Sequence, residues 1–229
     1  MANLLYPYKL PTIGDIELVR SIRSAVRFLG VDSLWIVGDE PPSLENCNHL
    51  KRKGPKVKWL NSIDRIIYAC SQPDFPDEFL LFNDDFILTD FFPNGFPVLH
   101  WKPIGKWMEE HQPKNGWSPS YYKAHENTAK VTGTNFPSFE LHCPMPMEKE
   151  RVLFTAKKHK LPALKQFRTL YAFDHGIVGE YSDDRKAYMV EDLVPLSKSG
   201  KWLSLSGDMA LTQQFKSITV IEPSRYEKN

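Results

Sequence analysis

The strongest constraint in the chain is the run Glu78-Phe-Leu-Leu-Phe-Asn-Asp-Asp-Phe-Ile-Leu88. Four apolar residues, then three polar ones, then three apolar ones predict a central strand that stops at a polar cluster. In open α/β sheets ligands sit beyond the carboxyl ends of the strands. Asn83, Asp84 and Asp85 therefore stand where chemistry is expected. Asn and Asp also favour turns, so a plain turn between two hairpin strands is the competing reading.

What precedes the run predicts a parallel sheet. Leu4 to Leu10 reads as a short first strand closed by Pro11. Asp15 is placed to cap a helix running to about Leu29, with Gly30 as its stop. Ile16, Val19, Ile22, Val26 and Leu29 recur on one face of it, leaving Arg20, Arg23 and Arg27 off the stripe. Ser33 to Val37 is a buried-strand pattern ending in Gly38-Asp39-Glu40-Pro41-Pro42. Strand, helix, strand in that order opens a mostly parallel α/β fold flanked by helices.

Beyond this, residues 43–56 read as a polar loop, Val57 to Leu60 as a strand, and Ile63 to Cys70 as a helix capped by Asn61 or Ser62. The segment from about Pro93 to Pro146 is rich in Pro, Trp, Tyr and His, with weak periodicity, and reads as binding loops. Arg151 to Tyr171 has helical character despite Pro162. A helix from about Met209 to Phe215 and a strand from Ser217 to Ile221 are expected to close the chain.

No repeat, low-complexity tract or Pro/Gly linker divides the 229 residues, so a single domain is expected. A net charge of +1 argues against a module that holds nucleic acid through its phosphates. Cys47, Cys70 and Cys143 show no C-x-x-C spacing, which suits free thiols in a reducing compartment. With neither a leader pattern nor an apolar stretch of spanning length, the expectation is a cytoplasmic chain without a membrane span.

An acidic cluster that closes an apolar strand suits transfer from a nucleotide-diphosphate sugar. One or two carboxylates hold a divalent cation, Mn or Mg, which bridges the phosphate oxygens and absorbs charge on the leaving group.

The run Phe-Leu-Leu-Phe-Asn-Asp-Asp-Phe86 resembles the "F-I-Y-x-N-D-D-x-F" signature of the Stealth sugar-phosphate transferases of capsule synthesis. Glu17-Leu18 and Ser21-Ile-Arg-Ser24 are similar to that family's "E-L-x-x-S-L-R-S" helix. Leu34-Trp-Ile-Val-Gly-Asp39 resembles its "I-Y-I-V-T-D", and Asn61-Ser62 its "N-S". His142-Cys-Pro144 is similar to an "H-x-P" element, while Arg168 and Leu203-Ser-Leu-Ser-Gly-Asp208 resemble later ones more loosely. The likeness covers about residues 13–90, then fragments. The family's opening "Y-T-W-V-D-G" has no counterpart near Tyr6-Pro-Tyr-Lys9, and Pro42-Ser43 stands where a Trp belongs.

The resemblance implies a GT-A-like fold with a D-x-D-like motif. Its first half, 1–92, would bind the nucleotide-sugar, with a UDP-sugar as the leading donor; its second, 93–229, would bind the acceptor. It implies a metal-dependent glycosyltransferase acting on a hydroxyl of a saccharide or a modified nucleic-acid base. The alternatives are a Stealth-type hexose-1-phosphate transferase and a non-catalytic sugar- or nucleic-acid-binding module.

By analogy with GT-A enzymes Asp85 is the metal ligand, Asp84 supports it or faces the sugar, and Asn83 meets ribose or a metal-bound water. His142 is the candidate third ligand, since neutral imidazole suits manganese. Arg23 and Arg168 are candidates for donor phosphate, and Asp39 for base or ribose. Asp208 is the candidate general base. Ordinary roles compete throughout: a solvated helix face for Arg23, a turn for Asp39, a buried polar residue for His142, and a helix cap for Asp208. His100-Trp-Lys102 and Trp117 to Lys123 are candidate acceptor platforms, or satellite core. Asp174-His-Gly176 has no ligand spacing around it.

Overall fold

The computed structural model describes residues 2–12, 14–112, 118–206, 212, 213, 215 and 224–228. Its centre is a five-stranded sheet ordered β3-β2-β1-β4-β7. These strands are β1 (Ala2–Tyr8), β2 (Val31–Gly38), β3 (Asn48–Lys51), β4 (Glu78–Leu81) and β7 (Met145–Glu148). The first four run parallel, and β7 runs antiparallel to β4.

The strands' alternation sorts their side chains onto two faces. Leu4, Tyr6 and Tyr8 of β1, Leu34 and Ile36 of β2 and Leu80 of β4 join one apolar core with helix α1 (Ile16–Leu29). Leu5, Trp35, Val37, Phe79 and Leu81 join the other, under α2 (Lys58–Cys70), α5 (Lys149–His159) and α6 (Phe167–Asp174). The result is a three-layer single domain of helix, sheet and helix.

The segment read as loops carries regular structure. It holds β6 (Leu99–His100), α3 (Ile104–Glu110) and α4 (Pro119–Thr132). The shortness of α3 and the low apolar contrast of the 14-residue α4 hide the helical period. Two other expectations also change. Residues 57–60 are not a strand, because α2 starts at Lys58 and takes Asn61 and Ser62 into its body. The polar stretch 43–56 contains β3, an edge strand whose four residues are exposed or half-buried and so lack an apolar signature.

The buried face of α1 is centred on Leu18, Ile22 and Ala25 and includes Ser21 and Ser24, all fully buried. The serines are there because they bond the strand that follows Asn-Asp-Asp, β5 (Phe86–Leu88). Ser21 Oγ donates to the Phe86 carbonyl at 2.6 Å, and Ser24 Oγ accepts from the Leu88 amide at 3.0 Å. Strand β5 pairs antiparallel with β9 (Trp202–Ser204), and this pair packs with α7 (Leu193–Ser199) through Ile87, Leu193 and Leu203. Between them β8 (Glu180–Tyr181) pairs with β6. The closing helix and strand expected over 209–221 lie almost wholly outside the described residues. Among those described, no helix is long and apolar enough to cross a membrane.

Candidate functional site

The chain steps from β1 to β2 to β3 in one direction, then returns to lay β4 on the far side of β1. That reversal makes the gap between the carboxyl ends of β1 and β4 a topological switch point, where open α/β sheets bind ligands. Leu5 is level with Leu81. Tyr8 ends β1 at this crevice, and Asp84 lies near enough to act on its phenol.

The three polar residues after β4 fan out. Asn83 lines a pocket on the α2 face of the sheet. Asp84 lies close enough to Tyr6 and Tyr8 to raise both phenols, whose shift comes first from burial. Asp85 turns toward β9: its Oδ2 accepts from Ser204 Oγ at 2.7 Å and from Lys186 Nζ at 3.2 Å.

The crevice is negative. Asp15, Asp84, Asp39 and Glu17 all add to the rise of the Tyr8 phenol, in that order after burial. The Tyr8 hydroxyl is buried with no hydrogen-bond partner among the described residues. Asp39 closes β2 as expected, where it accepts from the Leu10 amide at 3.0 Å and stands 3.7 Å from the buried Arg65 guanidinium. Gly38 beside it has φ +130, and a Cβ there would fall 2.1 Å from the Tyr8 carbonyl oxygen. Only glycine lets the two strand ends approach so closely.

The pocket beside the crevice has a volume of about 220 Å³. Its walls are Trp59, Ser62, Ile63 and Ile66 of α2, Tyr121 of α4, Glu140 to His142, and Gln166 to Arg168 at the start of α6. Asn83, His142 and Arg168, singled out from the sequence, meet here. Glu140, which sequence reasoning missed, takes the Thr169 amide at 3.1 Å and so caps the first turn of α6. Burial raises its carboxyl, and the Arg168 charge works against that rise. Arg168 is itself buried, its Nη1 donating to the carbonyls of Leu141 at 3.0 Å and Cys143 at 2.7 Å. It holds the segment carrying His142 in place.

His142 is gripped twice by Asp184, a residue no motif marked. Its amide donates to Oδ1 at 3.2 Å and its Nδ1 to Oδ2 at 2.7 Å. Burial pushes the Asp184 carboxyl up, but the His142 bond and the Lys186 charge outweigh it and hold it below the ordinary carboxylate range. An ionised Asp184 keeps the proton of neutral imidazole on Nδ1 and leaves Nε2 as the acceptor. Lys186 then links Asp184 to Asp85, so a chain of charges runs from the pocket to the end of β4.

Asp85 and His142, the expected metal ligands, are each held by a different side chain. Asp85 Oδ2 is held by Lys186 and Ser204, and His142 by Asp184 through Nδ1, which leaves Nε2 able to ligate. Among the described residues no three His, Cys, Asp or Glu side chains converge on one point. Asp84 stands in the negative crevice beside the orphaned Tyr8 hydroxyl. The Arg23 guanidinium grips Glu227 through Nε at 2.9 Å and through Nη2. Asp208 lies outside the described residues.

Of the aromatic platforms, Tyr121 reaches the pocket while Trp117 lies outside the described residues. Lys102 pairs with Glu110 over the Trp101 ring, apart from the pocket. Asp174 accepts from Lys158 at 2.7 Å and His159 at 2.9 Å, an ion-pair cluster on α5 and α6.

No family model matches the chain, and no curated protein matches it.

Proposed function

We propose that the chain is a nucleotide-sugar-dependent glycosyltransferase whose donor diphosphate lies over the β1–β4 crevice. The observation that carries this reading is the position of Asn83 and Asp84 at the switch point, with a separate polar pocket one residue away. A sheet of this order supports a GT-A-like arrangement, and the Stealth-like residues of α1, β2 and β4 fall on the elements that build the crevice.

Asp84 is the residue that would hold a magnesium or manganese ion, with the donor supplying the remaining oxygens. Such an ion would supply positive charge to offset the negative charge developing on the leaving nucleotide. The crevice favours this, since four surrounding carboxylates repel a bare diphosphate. Asp39, exposed at the end of β2, is placed to accept from a ribose or base. His142 acts as general base: Asp184 fixes its tautomer, and Nε2 receives the proton of the attacking acceptor hydroxyl. Arg168 positions His142 through the two carbonyls it binds.

Sugar transfer and sugar-phosphate transfer share the donor and differ in the bond that breaks. Product mass decides between them. Incubation with a UDP-sugar, manganese and a saccharide acceptor should add the mass of one sugar; a gain of sugar plus phosphate would replace this reading with the phosphotransferase.

A further inference from the structure

The pocket's shape and charge say what enters it. At about 220 Å³ it falls below the roughly 300–1,000 Å³ of sites that enclose drug-sized ligands, so it takes one ring and not a whole nucleotide-sugar.

Two of its walls are aromatic. Trp59 and Tyr121 lie with ring centroids 6.5 Å apart and planes at 82°. A planar base is best held between parallel faces. Two faces at a right angle form a corner, which suits a puckered ring that presents C–H groups on more than one side. The Tyr121 ring is also fixed from behind by Trp107, at 5.7 Å and 77°, and by His125, at 5.0 Å and 73°. The corner is therefore set before any ligand arrives.

The rest of the lining includes polar groups. Glu140, Asn83, Ser62 and Gln166 bring a carboxyl, two amides and a hydroxyl to one small volume. A carboxyl offers about four lone-pair positions, so Glu140 retains acceptor capacity after binding Thr169. Short groups that both donate and accept match vicinal hydroxyls. Arg168 is the one Lys or Arg among the described lining residues, and Glu140 beside it offsets its charge. A phosphate there would meet the Glu140 carboxyl beside the single guanidinium.

We propose that this pocket binds a single uncharged pyranose ring, with C–H faces against Trp59 and Tyr121 and hydroxyls on Glu140, Asn83 and Ser62. The inference rests on the transferase reading for its purpose but not for its test. The ring belongs either to the acceptor or to the donor's sugar, and the same chemistry serves both.

Saturation-transfer NMR with a panel of neutral methyl hexopyranosides tests it without any catalysis. At least one glycoside should receive saturation on its ring protons. Trp59→Ala and, independently, Glu140→Gln should each weaken that binding at least tenfold, with the folded state verified by circular dichroism. Comparing UDP with UDP-sugars separates the sources. If the ring is the donor's, Trp59→Ala erases the affinity gained over UDP; if the acceptor's, that gain persists and the glycoside competes with acceptor alone. Saturation of no glycoside and of no UDP-sugar hexose would overturn the proposal, as would competition by free nucleobases. Glycoside binding with no response to any nucleotide-sugar would uphold the pocket and sink the transferase reading.

Discussion

Ser21 of α1 donates a 2.6 Å hydrogen bond to the carbonyl of Phe86, the first residue of β5. The helix thereby holds the strand that leaves the Asn-Asp-Asp turn, and Ser24 completes the hold at Leu88. The turn is pinned on its exit side by side chains 62 and more residues earlier in the chain. That explains why two buried serines occupy the centre of an otherwise apolar face.

Replacing Ser21 by Ala should cost about 1–3 kcal/mol, because the buried Phe86 carbonyl and the Tyr6 hydroxyl both lose a partner. Ser21→Ala and Ser24→Ala should also be non-additive, since both hydroxyls hold the same short strand β5, at Phe86 and Leu88. Urea denaturation of both single variants and the double variant measures this.

Asp184→Asn leaves a side chain of the same size but lets the imidazole take the other tautomer. Transfer should fall by roughly 10²–10⁴-fold, as for loss of a positioned general base. Affinity for the nucleotide-sugar should change little. Steady-state rates with donor and acceptor varied separately check both halves of the expectation.

Arg168→Ala removes the buried donor to two carbonyls and leaves Glu140 without its compensating charge. A loss of about 3–5 kcal/mol is expected from breaking such a buried ionic arrangement. Arg168→Met with Glu140→Gln should recover part of it, because the second change removes the stranded carboxylate. Denaturation midpoints at matched pH provide the test.

His125 is buried against Trp107, with rings 3.6 Å apart and 7° from parallel, and burial lowers its pKa to about 4. The unfolded chain binds a proton there near pH 6.5, while the folded chain resists it. Stability is therefore fully present above pH 6.5 and falls on acidification down to about pH 4, by up to about 3 kcal/mol. His125→Gln should flatten that part of the stability–pH curve, measured by urea unfolding at fixed pH steps.

The sequence disclosed the elements whose apolar periods are strong. Strand β2, helix α1 with its Gly30 stop, and the break at Asn83 were all legible for that reason. Strand β3 escaped because an edge strand buries little, α3 because it is short, and α4 because its 14 residues lack a clean apolar stripe. In the site, Asn83, His142 and Arg168 were identified from motif position and do share a pocket. The direction of each side chain was not legible: Asp85 turns to Lys186 and Ser204 through a pairing with β9 more than a hundred residues away. Glu140 and Asp184 carry no local signal, since each gains its role only from a distant partner, Thr169 or His142.

The most direct test of the central claim is the thermal unfolding midpoint with nucleotide-sugars and manganese, in the wild-type chain and in Asp84→Asn. A UDP-sugar at a hundred times its dissociation constant should stabilise the wild type by about 2.7 kcal/mol. For a chain of this size that is a rise of roughly 5–10 °C. Asp84→Asn should lose the rise, whereas Trp59→Ala should keep a response to UDP itself. A wild-type midpoint unmoved by every nucleotide-sugar, or an equal rise in Asp84→Asn, would contradict the assignment of the β1–β4 crevice as a donor site.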